Sequence, residues 1–336
     1  MIKLEKDKNF INDYLHNKNW LSKDQQVTAV EVPGDGNMNF TLRCLLSDGG
    51  SIIIKQSRDF VEKYPQVAAP KNRVLQEAAF YNVTARDNSI NSKTPDILQL
   101  DEANNILLME DLGAGSDFTY LYNKGEEISE EALEEVMQFL AHLHINFNAD
   151  KVKPSISNRE MRALNHEHIF KYPYMADNGI NLDDIQEGLA AIGSKVKENE
   201  SLKEAIELLG MQYLADGHTL LHGDYFPGSW LKTAKGIKII DPEFCFFGPA
   251  EFELGVCMAH LYMANQLEVI IQKGLQFYQA KADLNIGLME QFMAVEILRR
   301  ILGLAQLPLE LSLDEKKSLI DKSIAIIAKT SILESN

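Results

Sequence analysis

Between Val27 and Lys55 apolar side chains alternate with polar ones in two short runs, VTAVEV and NFTLRCLL, and stand side by side in a third, SIIIK, the three separated by PGDGN and SDGG. A period of two marks half-buried strands, and the Gly-containing separators favour tight turns, so this stretch predicts an antiparallel meander. Past Pro70 the period changes: in KNRVLQEAAFYNVTARD the residues Val74, Ala78 and Tyr81 fall at helical spacing. TPDILQL and NNILLME then return to strand character around an Asn-containing turn.

Beyond Leu112 the pattern shifts again. GAGSDFTYLYNKG reads as a connector, and after Ile128 amphipathic helices dominate. In SEEALEEVMQFLAHLHINFNA, Ser129 is placed to cap a helix whose first turn is acidic, and Leu133, Val136, Met137, Leu140 and Leu143 form one apolar stripe. The exception is 219–247, where a Gly-containing turn divides two strand-like runs flanked by acidic motifs. Helical patterns resume in EFELGVCMAHLYMANQLEVIIQ and MEQFMAVEILRRILGLAQ and finish near Leu333. The expected architecture is α+β in two lobes: a small antiparallel-sheet lobe with one helix over 1–112, a connector over 113–127, and a larger, mostly helical lobe over 128–336.

Composition narrows the function classes. The 336 residues leave room for about two domains. A net charge of -16 gives no general attraction for nucleic acid or anionic membranes. Cys44, Cys245 and Cys257 have neither the spacing nor the even count of a disulfide framework or zinc knuckle, which suits a reducing compartment. The N-terminus lacks the apolar core of a signal peptide, and no uninterrupted apolar run approaches ~18 residues, so the expected location is the cytoplasm.

Several residue groups carry chemistry. Gly34-Asp35-Gly36-Asn37-Met38-Asn39 lacks the third glycine of a dinucleotide fingerprint and precedes a strand instead of a helix. A glycine-rich turn between antiparallel strands can instead close over nucleotide phosphates; the plain alternative is a hairpin turn. Lys55, at the end of a strand, is placed to neutralise phosphates, with Glu77 on the following helix, or Glu62, to hold it. Glu110, Asp111 and Leu112 lead into the connector, where exposed backbone groups can read an adenine edge, or form only an acidic loop. His222-Gly223-Asp224 precedes Asp241-Pro242-Glu243 by seventeen residues. Phosphoryl transfer to a hydroxyl needs one carboxylate to deprotonate the acceptor and others to hold magnesium, and these two motifs supply both. His222 is expected to order its loop, and His142, His144, His166 and His168 to be surface or packing residues. Arg299 and Arg300 interrupt an apolar helix where two adjacent cations are costly to bury, so one is expected in a cleft or in a salt bridge to surface acids.

The order GDGNMN, IIIK, MEDL, HGDYFPGS, DPEFCFFGP and ILRR resembles the 5-methylthioribose kinases of the choline kinase and aminoglycoside phosphotransferase superfamily, over about Val32 to Leu304. The resemblance implies a two-lobed protein-kinase-like fold and transfer of the γ-phosphate of ATP, with Mg2+, to a small-molecule hydroxyl, foremost that of 5-methylthioribose. It implies that Asn39 and Lys55 contact ATP, that Glu110, Asp111 and Leu112 form the adenine hinge, and that Asp224 is the base. Asp241, Glu243 and Ser229 would hold magnesium, Ser229 standing where the wider superfamily usually has an asparagine, and Arg299 or Arg300 would contact the sugar. A homodimer is also implied. Tyr225-Phe226-Pro227 departs from the Leu-His-Thr type of sequence common in the family, which leaves another sugar, an aminoglycoside or an amino alcohol open as acceptor. A non-catalytic nucleotide-binding protein is the remaining alternative, although the lysine, base and metal positions are all filled.

Overall fold

The computed structural model describes residues 2–34, 36, 38–153 and 155–333. The chain forms two compact units: a sheet unit of Met1–Ser116 with Lys232–Cys245, and a helical unit of Asp117–Leu231 with Phe246–Asn336.

In the sheet unit, β1 (Val27–Glu31), β2 (Phe40–Leu46) and β3 (Ser51–Gln56) form the expected meander. A short hairpin, β4 (Phe60–Val61) and β5 (Tyr64–Ala68), precedes helix α2 (Arg73–Thr84) and the single turn α3 (Asn88–Asn91). Strands β6 (Ile97–Asp101) and β7 (Ile106–Glu110) complete an antiparallel sheet of order β1-β2-β3-β7-β6. Period two explains its two faces. Leu42, Cys44, Ile52 and Ile54 point into a core with Ile11 and Leu15, whereas Lys55, one residue on, faces the opposite way and meets α2.

Ile11 and Leu15 belong to an N-terminal helix, α1 (Lys8–Asn17), that the strand-centred sequence reading did not anticipate. Asp7 caps it by accepting from Phe10 N at 2.8 Å. Asp101 anchors it, accepting from Tyr14 Oη at 2.8 Å and pairing with Lys18 Nζ at 2.5 Å. Burial opposes the charge on Asp101, but hydrogen bonds from Lys18, Asn104 and Tyr14 prevail and bring its pKa down to about 2.

The returning segment supplies a strand, Gly236–Ile239, after which Asp241 takes a left-handed conformation at φ 65°. Ile239 N donates to Lys93 O at 2.7 Å and the Cys245 thiol to Gln76 O at 3.4 Å, so the DPEF motif is pinned at both ends.

The helical unit contains α4 (Glu130–Asn146), α5 (Arg159–His166), α6 (Leu189–Lys197), α7 (Glu200–Leu214), α8 (Ala250–Met263), α9 (Glu268–Gln279), α10 (Ile286–Leu302) and α11 (Leu313–Leu333). Ser129 caps α4, its hydroxyl accepting from Ala132 N. The stretch expected as continuous helix from 251 to 272 is broken between α8 and α9, where Asn265 adopts φ 51°. α8 and α10 approach so closely that a Cβ at Gly255 would lie 2.8 Å from the backbone of Met289 and Met293. Strands Thr219–Leu221 and Phe246–Gly248 pair antiparallel and frame the His-Gly-Asp motif. Among the described residues no helix is long and apolar enough to cross a membrane.

Candidate active site

Both units carry buried charged groups near the motifs singled out in the sequence. In the sheet unit, Lys55 Nζ lies 2.9 Å from Glu77 Oε1 and is also ion-paired to Asp241. Glu62 pairs instead with Arg58 at 2.7 Å. Burial works against the Lys55 ammonium, but the Asp241 and Glu77 carboxylates outweigh it and hold its pKa above the ordinary lysine value. Burial raises the Glu77 carboxyl; Lys55 opposes that shift and Asp241 adds to it. Tyr81 Oη accepts from Asp241 N at 3.3 Å, so α2 supports both the lysine partner and the DPEF turn.

Glu243, two residues further, accepts from Arg73 Nε and Asn39 Nδ2, each 3.1 Å from Oε2. Burial lifts its pKa to about 7, Arg73 opposing and Glu77 and Asp241 reinforcing the rise. Glu77, Asp241 and Glu243 gather around Lys55 and Arg73, three carboxylates to two cations in these ion pairs of the described residues, a local excess of negative charge that suits a divalent cation. Among the described residues no three metal-ligating side chains converge on one point.

The glycine-rich turn falls partly on Asp35 and Asn37, which lie outside the described residues. At the other end of the sheet, Asp111 accepts from Arg43 Nε at 2.6 Å, Ser51 Oγ at 2.6 Å and Gly113 N at 3.0 Å. Against the effect of burial, these bonds hold its carboxyl below the usual range and shape the turn into the connector. Glu110 N donates to Asp96 O at 2.8 Å, and Leu112 follows half-buried.

In the helical unit, the buried Glu253 on α8 accepts from His222 N at 2.9 Å and Gly223 N at 2.6 Å, and His144 Nε2 lies 3.0 Å from it. The loop carrying Asp224 is thereby fixed through its backbone, with Gly223 at φ 89°, a conformation that favours glycine. Ser229 Oγ accepts from Phe226 N at 3.1 Å and sits 2.8 Å from Phe226 O, closing the turn after Asp224. The Asp224 side chain remains 29% accessible, with Arg300 Nη2 3.6 Å from Oδ1. Burial raises its pKa, against the pull of Arg300 and Arg299.

Both arginines are buried, despite the cost expected of burying two adjacent cations. The reason is Glu296, one helical turn back and itself 1% exposed. It accepts from Arg299 Nε at 2.5 Å and Arg300 Nε at 2.8 Å, and lies 3.1 Å from His260 Nε2. Burial opposes its charge, but the two guanidinium groups keep it ionised far below the ordinary carboxylate range. Burial lowers His260 to about 4, so its neutral ring accepts from Tyr122 Oη at 2.5 Å and donates to Glu296. Sequence reasoning missed Arg73, Glu253, Glu296 and His260. For Glu296 a signal existed, because it stands three and four residues before the arginines, the spacing of neighbours on a helix.

Residues 51–285 match the model of the phosphotransferase enzyme family (APH), and the chain belongs to that family. It is 28% identical over 257 residues to methylthioribose kinase 1 of Oryza sativa subsp. japonica, an alignment covering 71% of this chain and 56% of that protein. Across four methylthioribose kinases that it matches, the chain spans 56–62% of their length. Among solved structures, LicA in complex with AMP superposes with a TM-score of 0.55 at 14% identity, covering 96% of this chain and 98% of that one. Amicoumacin kinase hAmiN in complex with AMP-PNP, Ca2+ and Ami gives 0.53 at 14% identity, covering 95% and 93%. The fold is therefore the two-lobed kinase-like one, with a small N-terminal sheet lobe and a larger helical lobe.

Proposed function

We propose that the protein is an ATP- and Mg2+-dependent kinase of a small-molecule alcohol. The observation that carries this reading is Lys55, buried between Glu77 and Asp241: a fixed cation next to the carboxylates that a phosphate-bound metal would use. Bound Mg2+ would neutralise charge on the transferring phosphate. Lys55 holds the triphosphate, Asp241 and Glu243 hold the metal, and Asp224 aligns the acceptor hydroxyl and takes its proton. Catalysis is then chiefly positioning and charge neutralisation.

For the acceptor, Arg300 beside Asp224 supports a hydroxyl compound without a positive charge, because a second cation there would be repelled. A sugar fits, and the similarity to methylthioribose kinases makes 5-methylthioribose one member of the class. The fold neighbours include Streptococcus pneumoniae choline kinase LicA, so cationic alcohols are the alternative acceptor class to be tested. The test is Mg2+-dependent ADP release from ATP with 5-methylthioribose, simple pentoses, choline, ethanolamine and aminoglycosides added singly. Stimulation by a sugar supports the reading in full. Stimulation by a cationic alcohol keeps the kinase and overturns the acceptor class, and no stimulation across the panel counts against the kinase.

A further inference from the structure

Phe226 belongs to Tyr225-Phe226-Pro227, the segment that departs from the family sequence, and the chemistry above gives its side chain no task. The ring is half-buried, two residues beyond Asp224. Its centroid lies 4.9 Å from that of the His260 ring, and Arg300 Cζ stands 5.2 Å from it, within the range of a cation–π contact. The ring also lies against Gly228: a Cβ there would be 2.5 Å from Cζ and 2.6 Å from Cε2 of Phe226. Gly228 is not in a left-handed conformation, so the missing side chain serves the ring and not the backbone. His260 is tied to Tyr122 and Glu296, which gives the ring a fixed neighbour.

Among the described residues Arg300 has few other restraints. Its Nε donates to Glu296 Oε1 at 2.8 Å and its Nη1 to Ala305 O at a longer 3.4 Å, while Nη2 stops 3.6 Å from Asp224 Oδ1. A guanidinium and a carboxylate that meet freely close to about 2.7–2.9 Å and often pair through two bonds. Closure of that kind would put N–H groups on the oxygens that must receive the acceptor proton. One short bond at Nε leaves the guanidinium plane free to swing about it, and an aromatic ring against the group resists the swing. We propose that Phe226 is a positioning residue that holds the Arg300 guanidinium off Asp224 and thereby keeps the base open to the acceptor hydroxyl. This inference rests on the kinase reading, in which Asp224 is the base.

Mg2+-dependent ADP release with 5-methylthioribose, or with the panel member that stimulates in its place, gives kcat and the acceptor KM; calorimetry with Mg2+·AMP-PNP gives nucleotide affinity. Phe226→Leu removes the ring and should lower kcat about tenfold, the scale of one partly desolvated cation–π contact, with AMP-PNP affinity unchanged. Phe226→Tyr keeps the ring and should restore kcat. Gly228→Ala leaves Phe226 in place but displaces its ring, and should lower kcat in the same way, which keeps the test available should Phe226→Leu fail to fold. In an Arg300→Gln background, Phe226→Leu should cost nothing further. Unchanged kcat in Phe226→Leu, an equal loss in Phe226→Tyr, or the same loss with and without Arg300 overturns the proposal. Stimulation by no member of the panel, read on the unaltered protein before any variant, overturns the kinase reading itself.

Discussion

Replacing Glu296 with glutamine removes one charge and almost no volume from the centre of the Arg299–Arg300–His260 cluster. The carboxylate neutralises two buried guanidinium groups, so its loss strands at least one positive charge, a change that costs about 3–5 kcal/mol. At roughly 2–4 °C per kcal/mol for 150–250 residues, the lower bound lowers the melting temperature by about 6–12 °C. The folded-state pKa of Glu296 lies well below its unfolded value. Its contribution is therefore complete above the unfolded carboxylate pKa of about 4.3 and fades as pH falls through the folded one. The gap between Glu296→Gln and the unaltered protein should be full at pH 7 and shrink below about pH 4. Turnover should also fall, because Arg300, released at Nε, can close the 3.6 Å gap to Asp224 and lower the proton affinity of the base. A loss of about 100-fold in acceptor-dependent ADP release is expected, within the range of general-base contributions. Thermal melts across pH, run beside the ADP assay, read both effects. A variant that melts within a degree of the unaltered protein and turns over normally would refute the reasoning.

Three other perturbations follow from the same geometry. Asp224→Asn should reduce acceptor-dependent ADP release by about 10²–10⁴ while leaving AMP-PNP affinity intact; preserved turnover would remove Asp224 as the base. Lys55→Met strands the Glu77 carboxylate and should cost about 3 kcal/mol in urea unfolding, and adding Glu77→Gln should recover part of that loss; strictly additive effects would show that the pair is not coupled. Asp101→Asn should lose about 2 kcal/mol at pH 7, since a folded pKa of about 2 against roughly 3.9 unfolded gives stability that is present above about pH 5 and gone by about pH 1. Equal stability of that variant and the unaltered protein at pH 7 would contradict the anchoring of α1.

The meander, α2 and the capped helix α4 were legible because their periods of two and 3.6 report directly which side chains face inward. Lys55 was legible from its place at a strand end, but the choice between Glu77 and Glu62 as its partner was not, because it depends on Arg58 taking Glu62. The α1 helix carried its own signals, Asp7 as cap and Ile11, Tyr14 and Leu15 as stripe, but only a sheet to pack on makes so short a helix persist. The burial of both arginines was not legible, because the cost of burying a cation was weighed without the anion on the preceding turn. Arg73 could not be read at all: its partners are mostly backbone carbonyls of separate segments, and carbonyl positions leave no trace in residue identity.

The sheet unit closes only when Lys232–Cys245 returns to it, and this return sets the order in which the protein can be completed. As the chain emerges from the ribosome, Lys55, Glu77 and Arg73 are made early, whereas Asp241 and Glu243 appear only after more than a hundred residues of the other unit have followed. During that interval the cations of the site have only part of their counter-charge, and Arg73 lacks its carboxylate. The first 116 residues are for this reason an unfinished half and not a module that could be exchanged between proteins. A recombination point placed at the connector would separate Asp241 and Glu243 from Lys55 and Arg73, their ion-pair partners, and leave buried charges on the sheet unit uncompensated.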